Sequence, residues 1–477
     1  MAIYEAAKCI SFARLASLKS YLTALFLPNS KQWVSWLITC LISIALITFT
    51  FSKIKWTKNR VIIHDVTGYY SYLPAFFIHG DMSMNYRSEL PDNEPSEGIW
   101  VNFKEDITYL KAPIGVSYFF LPSFWISHQF AKHSDVYQAN GYSLPYQRGL
   151  AINTLIISIL CLFICRRLLL FHFHDSASAL AILLLVGGSN LYYYVAIEPA
   201  MAHPYGMFLV AAMLLVNHQF FLHFKTRDFL ILAIVLGWMI AVRPTNAILA
   251  VYPLLYGLFS KHRSSLGRFL IEHKLAIVGF ALLFFIPLIP QMIYWKAMLG
   301  KYVAYSYDNE SFFFAKSHVV DGFFSYRKGL FLYTPVMLLA FAGFLFMRAK
   351  MDLVKPLLVI IPVFSFVVFS WWCWWYGGYS SRVLIETYPL LLLGFAGFSE
   401  RLIALRFWKR LLILPVILWC FWLNFRFVDL YERGVIHWDS MTKKNYQAVF
   451  WNNNLPDNYF DYFEKPNYEK ALREGED

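Results

Sequence analysis

Residues 33–52 read WVSWLITCLISIALITFTFS and contain no charged side chain. An α-helix rises about 1.5 Å per residue, so a run of this length crosses the roughly 30 Å hydrocarbon core of a bilayer. Further apolar runs of similar character, some of them shorter, follow along the chain at 147–165, 178–196, 204–222, 229–242, 245–260, 274–295, 331–347, 356–372, 383–399 and 411–427. We therefore predict an all-α integral membrane protein with about eleven transmembrane helices.

The composition agrees with this interpretation and excludes others. Of 477 residues, 58% are hydrophobic and only 15% are charged, which is too little charge to cover a soluble protein of this size. The net charge of +12 could suggest a nucleic-acid partner. The lysines and arginines lie in short clusters between apolar runs and form no basic face, so we expect a lipid bilayer and no nucleic acid as partner.

The apolar stretch 113–131, PIGVSYFFLPSFWISHQFA, decides the orientation, because counting it as a span inverts everything after it. If it is left out and the N-terminus is cytoplasmic, the short cytoplasmic loops hold these basic residues: Arg166, Arg167, Lys225, Arg227, Lys261, Arg263, Arg268, Arg348, Lys350, Lys355, Arg401, Arg406, Lys409 and Arg410. The opposite short loops hold only Arg243 and Arg382. The positive-inside rule favours this arrangement, so we predict that 113–131 is a helix lying at the outer interface.

This orientation divides the chain into segments with different exposures. We expect a cytoplasmic N-terminal segment at 1–32 and a polytopic transmembrane domain at 33–427. Two large segments of that domain, the first external loop 53–146 and a second at 296–330, would lie outside. The C-terminal tail 428–477 would also be external, and its polar end, 465–477, is predicted to be disordered.

Ionisable residues near the outer ends of the predicted spans are the candidates for chemistry, because charge at membrane depth is costly. These residues are Asp65, Asp81, Lys111, Glu198, His203, Arg243 and Arg382. Tyr69, in the same string as Asp65, is a further candidate. Arginine and lysine bind phosphate, and a carboxylate can take a proton from an attacking hydroxyl or amine. Together they suit a lipid-linked phosphate donor that is attacked by an acceptor from outside.

Each candidate also has a purely structural interpretation. Asp65 could cap the following helix or be a solvated loop acid. The whole role of Glu198 could be to cap the next helix. His203 could be a capping or packed interfacial group. Arg243 and Arg382 could extend toward lipid headgroups, and the aromatic run 371–376 could be part of an interfacial belt. It is the joint placement of the set that favours a function.

The order of the motifs resembles the GT-C superfamily of membrane glycosyltransferases, especially the protein O-mannosyltransferase and aminoarabinose transferase branch. In that branch an acidic residue follows the first span, as Asp65 does, and a Gly-Asp pair such as Gly80-Asp81 comes later. A Lys-Pro-Pro string then opens an interfacial helix, which Lys111-Ala112-Pro113 matches with one departure. The acidic loop at Glu198 and the external Arg382 are also similar. The resemblance covers residues 33–400.

The resemblance implies a GT-C-like fold and a glycosyltransferase that uses a polyprenyl-phosphate-linked sugar. It implies Asp65 as the catalytic base, Lys111 and Arg382 as ligands of the donor phosphate, and Glu198 as a second site acid. The position of Arg243 adds it to the phosphate ligands. We expect no cofactor; the first loop has no Asp-x-Asp pair, which disfavours a divalent metal but leaves it open.

Other functions stay open at this point. A transporter or lipid flippase would place its charges near span midplanes and break its helices there. A polysaccharide polymerase or ligase would use a lipid-linked glycan and also carry external basic residues. The acceptor can be a lipid, a glycan or a protein. The outer-side sequon Asn309-Glu310-Ser311 carries little weight, and we favour a bacterial inner membrane with a periplasmic active site.

Overall fold

The computed structural model describes residue 23 and residues 25–53, 55, 60–90, 101–104, 107–451 and 455–477. Most of this part of the chain is helical. Its β structure includes an antiparallel hairpin, in which β1 (Val101–Lys104) pairs with β2 (Ile107–Leu110). Most of the predicted cytoplasmic segment 1–32, and part of the predicted first external loop, lie outside the described residues.

The helices are numbered here in chain order. They are α1 Trp33–Ser52, α2 Asp65–Tyr70, α3 Ser117–Lys132, α4 Leu144–Leu170, α5 Asp175–Gly188, α6 Ala202–His223, α7 Thr226–Val242, α8 Tyr252–Phe259, α9 Arg263–Glu272, α10 Lys274–Phe285, α11 Ile289–Leu299, α12 Val319–Phe324, α13 Leu330–Tyr333, α14 Met337–Phe344, α15 Met351–Val368, α16 Tyr388–Ala404, α17 Phe407–Glu432, α18 Lys443–Trp451 and α19 Tyr468–Glu474.

Shorter helical turns connect several of these helices. The α-helical turn is Tyr72–Pro74, and the π-helical turns are Ala75–His79 and Tyr193–Ile197. The 3₁₀ turns are Asn85–Glu89, Ile114–Val116, Pro244–Ala247, Leu249–Val251, Ile286–Leu288, Phe314–Lys316, Arg348–Lys350, Arg382–Thr387 and Tyr459–Tyr462.

Seven helical stretches in the described part of the chain are long and apolar enough to cross a membrane. They are Trp33–Ser52, Leu144–Leu170, Ala202–His223, Lys274–Leu299, Arg348–Val368, Arg382–Ala404 and Phe407–Glu432. Two shorter apolar helices are Asp175–Gly188 and Pro244–Phe259. The mainly helical, membrane-type architecture predicted from the sequence is therefore confirmed, but the count of about eleven spans is not.

Several of the predicted spans are not one continuous α-helix. The run 331–347 is divided into α13 and α14 at residues 334–336, where Pro335 has no amide hydrogen to continue a helix. The run 178–196 is divided because α5 ends at Gly188, before the π-helical turn Tyr193–Ile197. The run 245–260 begins with 3₁₀ turns after Pro244. The apolar composition predicts these runs, but it does not indicate where the helices break.

Apolar side chains face outward on several helices. On α1, Leu37 is 52% exposed and Ile44 58%; on α10, Leu275 is 87% exposed and Leu282 66%. A soluble protein rarely leaves so much contiguous apolar surface in water, whereas a bilayer covers it without cost. Conversely, buried polar side chains such as Thr39 and Ser43 donate hydrogen bonds to the carbonyl four residues earlier in their helix.

Close helix contacts depend on small residues. A Cβ added at Gly343 of α14 would collide with the Gly394 carbonyl of α16, and one added at Gly394 would collide with the Ala340 carbonyl. The two backbones therefore touch directly, as membrane helices do where glycine or alanine lines the interface. This contact fixes α16, whose N-terminal side carries Arg382 and Glu386.

Short turns join α4 to α5 and α6 to α7, so these helices run antiparallel. The N-terminal ends of α4 and α6 and the C-terminal ends of α5 and α7 consequently lie at one end of the bundle, here called the site end. The irregular backbone at 193–197 and 244–251 also lies there. Non-helical backbone is tolerated at membrane depth only where protein or a cavity surrounds it.

The stretch 113–131 forms α3, and both of its ends lie near the site end. At its start, the Gly115 carbonyl accepts a hydrogen bond of 2.9 Å from Trp238 near the end of α7. Near its end, His128 Nδ1 lies 2.6 Å from the Tyr146 hydroxyl at the start of α4. A helix crossing the bundle would have its two ends at opposite ends of its neighbours. The side of the membrane on which the site end lies stays a prediction.

The prediction that 465–477 is disordered is wrong. Residues 468–474 form α19, Ala471 is fully buried, and Tyr468 packs against Trp372 and Trp375. The Gly475 carbonyl lies 3.0 Å from His318 Nε2. The polar composition is misleading because this segment needs few apolar contacts of its own when an aromatic surface elsewhere in the chain supplies them.

Candidate functional site

An ion pair between Asp65 and Arg382 lies at the centre of the site end. Asp65 begins α2, and Arg382 begins the 3₁₀ turn that precedes α16; Arg382 Nη2 donates to Asp65 Oδ2 at 2.6 Å. The two side chains keep 21% and 12% exposure. Burial alone would raise the pKa of Asp65, but the charge and hydrogen bond of Arg382 lower it. Asp65 is therefore an ionised carboxylate at neutral pH.

The backbone on both sides of this pair adopts conformations that favour glycine. His64, directly before Asp65, has φ 50°, a region that residues other than glycine rarely occupy. Gly378, close to Arg382, has φ 133°; a Cβ there would lie 2.6 Å from the Tyr194 hydroxyl and 3.3 Å from Arg382 Cδ. The chain at Gly378 thus leaves room for the Arg382 side chain to reach Asp65.

Lys111 forms a second ion pair, with a residue that the sequence analysis did not propose. Its Nζ donates to Glu310 Oε1 at 2.5 Å, and Trp372 Nε1 donates to Glu310 Oε2 at 3.1 Å. The Lys111 ammonium also lies 5.7 Å from the ring centroid of Tyr307. The Lys111 carbonyl accepts a hydrogen bond from Ser306, so the segment 305–310 covers this lysine.

A third ion pair is almost completely buried. Glu386 is fully buried, and its Oε1 accepts from Arg243 at 2.8 Å and lies 3.1 Å from His203 Nδ1. Gly206 makes the space, since a Cβ there would lie 2.5 Å from Glu386 Cγ. The other oxygen, Oε2, has no hydrogen-bond partner among the described residues. Charges buried in this way persist only when they are paired.

The three ion pairs form one electrostatic unit. Besides Arg382, the charges of His203 and Lys111 lower the pKa of Asp65. Burial raises the pKa of the Tyr69 hydroxyl, and the charge of Asp65 raises it further. The name site cluster is used here for Asp65, Lys111, His203, Arg243, Glu310, Arg382 and Glu386. Tyr69 lies beside the site cluster.

Glu198 lies next to the site cluster and has a separate set of contacts. Tyr193 donates to its Oε2 at 2.6 Å, and Lys55 Nζ lies 3.2 Å from its Oε1. Burial would raise the pKa of Glu198, but Lys55 and Tyr193 lower it, and Arg382 contributes to that decrease. Glu198 is therefore an ionised group near Arg382 without a direct hydrogen bond to it in the described contacts.

Asp81 is not brought into the site cluster. Its carboxylate accepts hydrogen bonds from the amides of Ser83, Asn85 and Tyr86, at 2.9, 2.7 and 3.1 Å. These contacts organise the turn into the 3₁₀ helix Asn85–Glu89. Among the described contacts its role is local, although the Gly-Asp pair matches the motif order proposed from the sequence.

The buried Lys328 is another residue that sequence reasoning missed. Its side chain is 3% exposed, it donates to the Gly378 carbonyl, and its ammonium lies 5.8 Å from the ring centroid of Tyr431. Burial lowers its pKa to about 7, and the charge of Arg382 adds to this effect. Lys328 thus supports the turn at Gly378.

Signals for two of the missed residues were present in the sequence. Glu386 is a carboxylate inside the predicted span 383–399, and a charge within a span is itself a reason to suspect a site. Glu310 lies among aromatic residues in the predicted second external segment, and it is part of the sequon Asn309-Glu310-Ser311. Lys328 has no comparable local signal.

The site cluster can bind an anion and accept a proton. Three cationic side chains from distant segments face one end of an apolar bundle, and one ionised carboxylate keeps partial exposure. Among the described residues, no group of three or more histidine, cysteine, aspartate or glutamate side chains is placed to hold a metal ion. No family model matches the chain, and no curated protein matches it.

Proposed function

We propose that the protein is a membrane glycosyltransferase that transfers a sugar from a polyprenyl-phosphate donor to an acceptor on the outer side of a bacterial inner membrane. The observation that carries the proposal is the 2.6 Å pair of Asp65 and Arg382, with Lys111 and Arg243 nearby at the same end of the bundle. A proton acceptor beside several phosphate-binding cations is what this reaction requires.

In the proposed reaction, an acceptor hydroxyl or amine attacks the anomeric carbon while the bond from that carbon to the phosphate oxygen breaks. Asp65 orients the nucleophile and takes its proton. The leaving polyprenyl phosphate departs as an anion held by Arg382 and Lys111, so it needs no general acid. In-line attack inverts the anomeric configuration. Glu198 is a second carboxylate at the edge of the site, and Arg243 adds positive charge to it.

The surroundings of the site cluster fit a donor with a long isoprenoid tail. Apolar side chains face outward along the helices that lead to the site end, so the tail can lie among them while the phosphate stays at headgroup level. Trp372 and Lys111 both donate hydrogen bonds to Glu310, so they lie close together. The Trp372 ring is large enough to stack on a sugar. The acceptor can be a lipid, a glycan or a protein.

Mass spectrometry of lipids retained by the purified protein is the experiment that tests this proposal. Wild type is compared with Lys111→Ala, Arg382→Ala and the matched control Lys350→Ala. Lys350 also pairs with a glutamate, Glu400, at 2.7 Å. Glu400 lies near the C-terminal end of α16, whereas the site cluster lies at its N-terminal end. We expect polyprenyl phosphate on wild type and on the control, and its loss from the two site variants. Retention by both site variants would contradict the proposed phosphate site.

A transporter or lipid flippase is the second candidate function. The fully buried Glu386, in contact with His203 and Arg243, would suit coupling of transport to a proton. The two candidates differ in product: a flippase moves the lipid without changing it, whereas a transferase releases polyprenyl phosphate without its sugar. Incubation of the protein in liposomes with a polyprenyl-phosphate sugar and a cell-envelope extract as the source of acceptor, followed by mass analysis of the lipid, distinguishes them.

A further inference from the structure

Every cation that the proposed donor phosphate would contact already carries a carboxylate. Arg382 holds Asp65 at 2.6 Å, Lys111 holds Glu310 at 2.5 Å, and Arg243 holds Glu386 at 2.8 Å. Carboxylate and phosphate oxygens compete for the same ammonium and guanidinium hydrogens. A phosphate can therefore bind only if it shares a cation with a carboxylate or replaces one.

Glu310 is the carboxylate best placed to leave. Glu386 is fully buried within the turn before α16, between His203 and Arg243, so removing it would leave buried cations without a partner. Asp65 is needed beside the phosphate as the proposed base. Glu310 keeps 17% exposure and lies outside any helix, in the segment between α11 and α12. Its movement breaks no helical hydrogen bonds.

The contacts of Glu310 resemble those a phosphate would make. Its two oxygens accept from two different donors, Lys111 Nζ and Trp372 Nε1. Those donors are far apart in the sequence, so the carboxylate bridges two distant segments of the chain. A phosphate has oxygens enough to replace both contacts at once. The phosphodiester of the donor carries one negative charge, as the carboxylate does, and the polyprenyl phosphate released by the reaction can carry two.

We propose that Glu310 occupies the phosphate subsite formed by Lys111 and Trp372, and that the phosphate of the polyprenyl donor displaces it on binding. This inference rests on the proposed function. Glu310 then sets donor affinity by competing for the subsite, and Trp372 is a further phosphate ligand. The segment that carries Glu310 moves away from Lys111 when the donor binds.

The same segment is joined to the Trp-rich stretch, so its movement is limited in extent. Phe313 N donates to the Ser370 carbonyl at 2.6 Å, and Trp372 N donates to the Ser311 carbonyl at 3.1 Å. Phe312 and Trp371 form an isolated β-bridge there. These bonds keep residues 311–313 in place, so displacement of Glu310 takes place on the N-terminal side of the bridge.

Binding of a long-chain polyprenyl phosphate to the full-length protein in phosphatidylcholine nanodiscs tests the inference. We compare wild type with Glu310→Gln, which keeps the shape and a hydrogen-bond acceptor but loses the charge. Since a partly exposed ion pair is worth up to about 1 kcal/mol, we expect up to about fivefold tighter binding by Glu310→Gln. Glu400→Gln, which removes the carboxylate from the Lys350 pair, is the matched control and should leave the affinity unchanged.

A second variant keeps the test decisive if Glu310→Gln does not fold. Trp372→Phe retains an aromatic ring but removes the Nε1–H that both Glu310 and the phosphate would use. If Trp372 is a ligand of the phosphate, this variant should bind the lipid more weakly than wild type, whereas the Trp371→Phe control should not. Equal affinity of Trp372→Phe and wild type would overturn the assignment of Trp372 to the subsite.

The outcomes separate the inference from the proposed function. If wild type binds the polyprenyl phosphate and Glu310→Gln binds it no tighter, the displacement is overturned while the transferase proposal stands. If neither binds it in preference to the unphosphorylated polyprenol, the transferase proposal itself fails. If Glu310→Gln gains affinity for phosphatidylglycerol alone, the subsite belongs to a membrane phospholipid and the donor assignment is overturned.

Discussion

At the scale of single residues, Arg382 controls what Asp65 can do. Its guanidinium and hydrogen bond oppose the effect of burial and lower the pKa of Asp65. A carboxylate held in this way is reliably ionised but is a weak base. In the proposed reaction the donor phosphate also binds the Arg382 guanidinium. The interaction between Arg382 and Asp65 is then weaker, so Asp65 is more basic when an acceptor is present.

Replacing Asp65 by asparagine tests its role as base. The side chain of Asp65→Asn can still accept a hydrogen bond from Arg382, but it cannot take a proton. We expect turnover to fall by about 10²- to 10⁴-fold, the typical contribution of a general base, while polyprenyl-phosphate binding persists. Transfer of labelled sugar is measured alongside lipid binding.

The control for this variant is Asp135→Asn. Asp135 is an exposed acid in the same predicted external loop, so its replacement should leave transfer intact. Transfer at the wild-type rate by Asp65→Asn would show that another group takes the proton.

At the scale of helices, apolar runs predict where the chain is helical but not where helices touch or break. The apolar composition of 331–347 does not show that the helix breaks at Pro335. It also does not show that Gly343 contacts Gly394. The prediction for the tail 465–477 is wrong because the aromatic residues that it packs against, at 372–375, lie about a hundred residues earlier in the chain. Contacts of this kind depend on tertiary structure, which local composition does not encode.

Alanine at Gly343 should weaken the contact between α14 and α16. The added Cβ would collide with the Gly394 carbonyl, which is backbone and cannot move aside easily. We expect a loss of about 1–3 kcal/mol of stability, measured as a lower midpoint of thermal unfolding in detergent. Gly267→Ala, in α9, is the control because its Cβ would meet nothing within 4 Å, so it should be neutral or slightly stabilising.

The packing of α19 should depend on pH through His318. The hydrogen bond to Asp321 raises the pKa of His318 although burial lowers it, and the Gly475 carbonyl is a second partner. A raised pKa means that the protonated form stabilises the fold. This contribution is complete below the ordinary histidine value of about 6.5 and is lost as the pH rises through the raised pKa.

Hydrogen exchange of residues 468–477, corrected for the intrinsic effect of pH, measures this dependence. We expect stronger protection at pH 6 than at pH 9 in wild type. Glutamine does not titrate, so the protection of His318→Gln should vary less with pH than that of wild type. The interpretation is wrong if both proteins show the same dependence.

At the scale of the whole molecule, the site cluster is assembled from segments far apart in the sequence. The sequence indicates all of its basic members, because isolated charges beside apolar runs are conspicuous. It did not indicate their pairing: Glu310 and Glu386 became evident only when the fold brought them to Lys111 and Arg243. Pairing depends on helix order and rotation, neither of which a charge count supplies.

The predicted orientation can be measured by cysteine labelling of intact cells. Asp135→Cys lies in the predicted external loop and Ser264→Cys in a predicted cytoplasmic loop, and both positions are exposed. A membrane-impermeant maleimide should label position 135 directly and position 264 only after permeabilisation, against the wild-type background. The reverse pattern would contradict the predicted orientation.

The separation of Asp65 and Arg382 along the chain also has a consequence for biosynthesis. A ribosome adds about 5–20 residues per second, so Arg382 is synthesised roughly 15 to 60 seconds after Asp65. For that interval the nascent protein holds a carboxylate whose permanent partner does not yet exist. A chain that stops before residue 382 therefore contains the proposed base but not the cation that orients it, and activity can arise only late in membrane insertion.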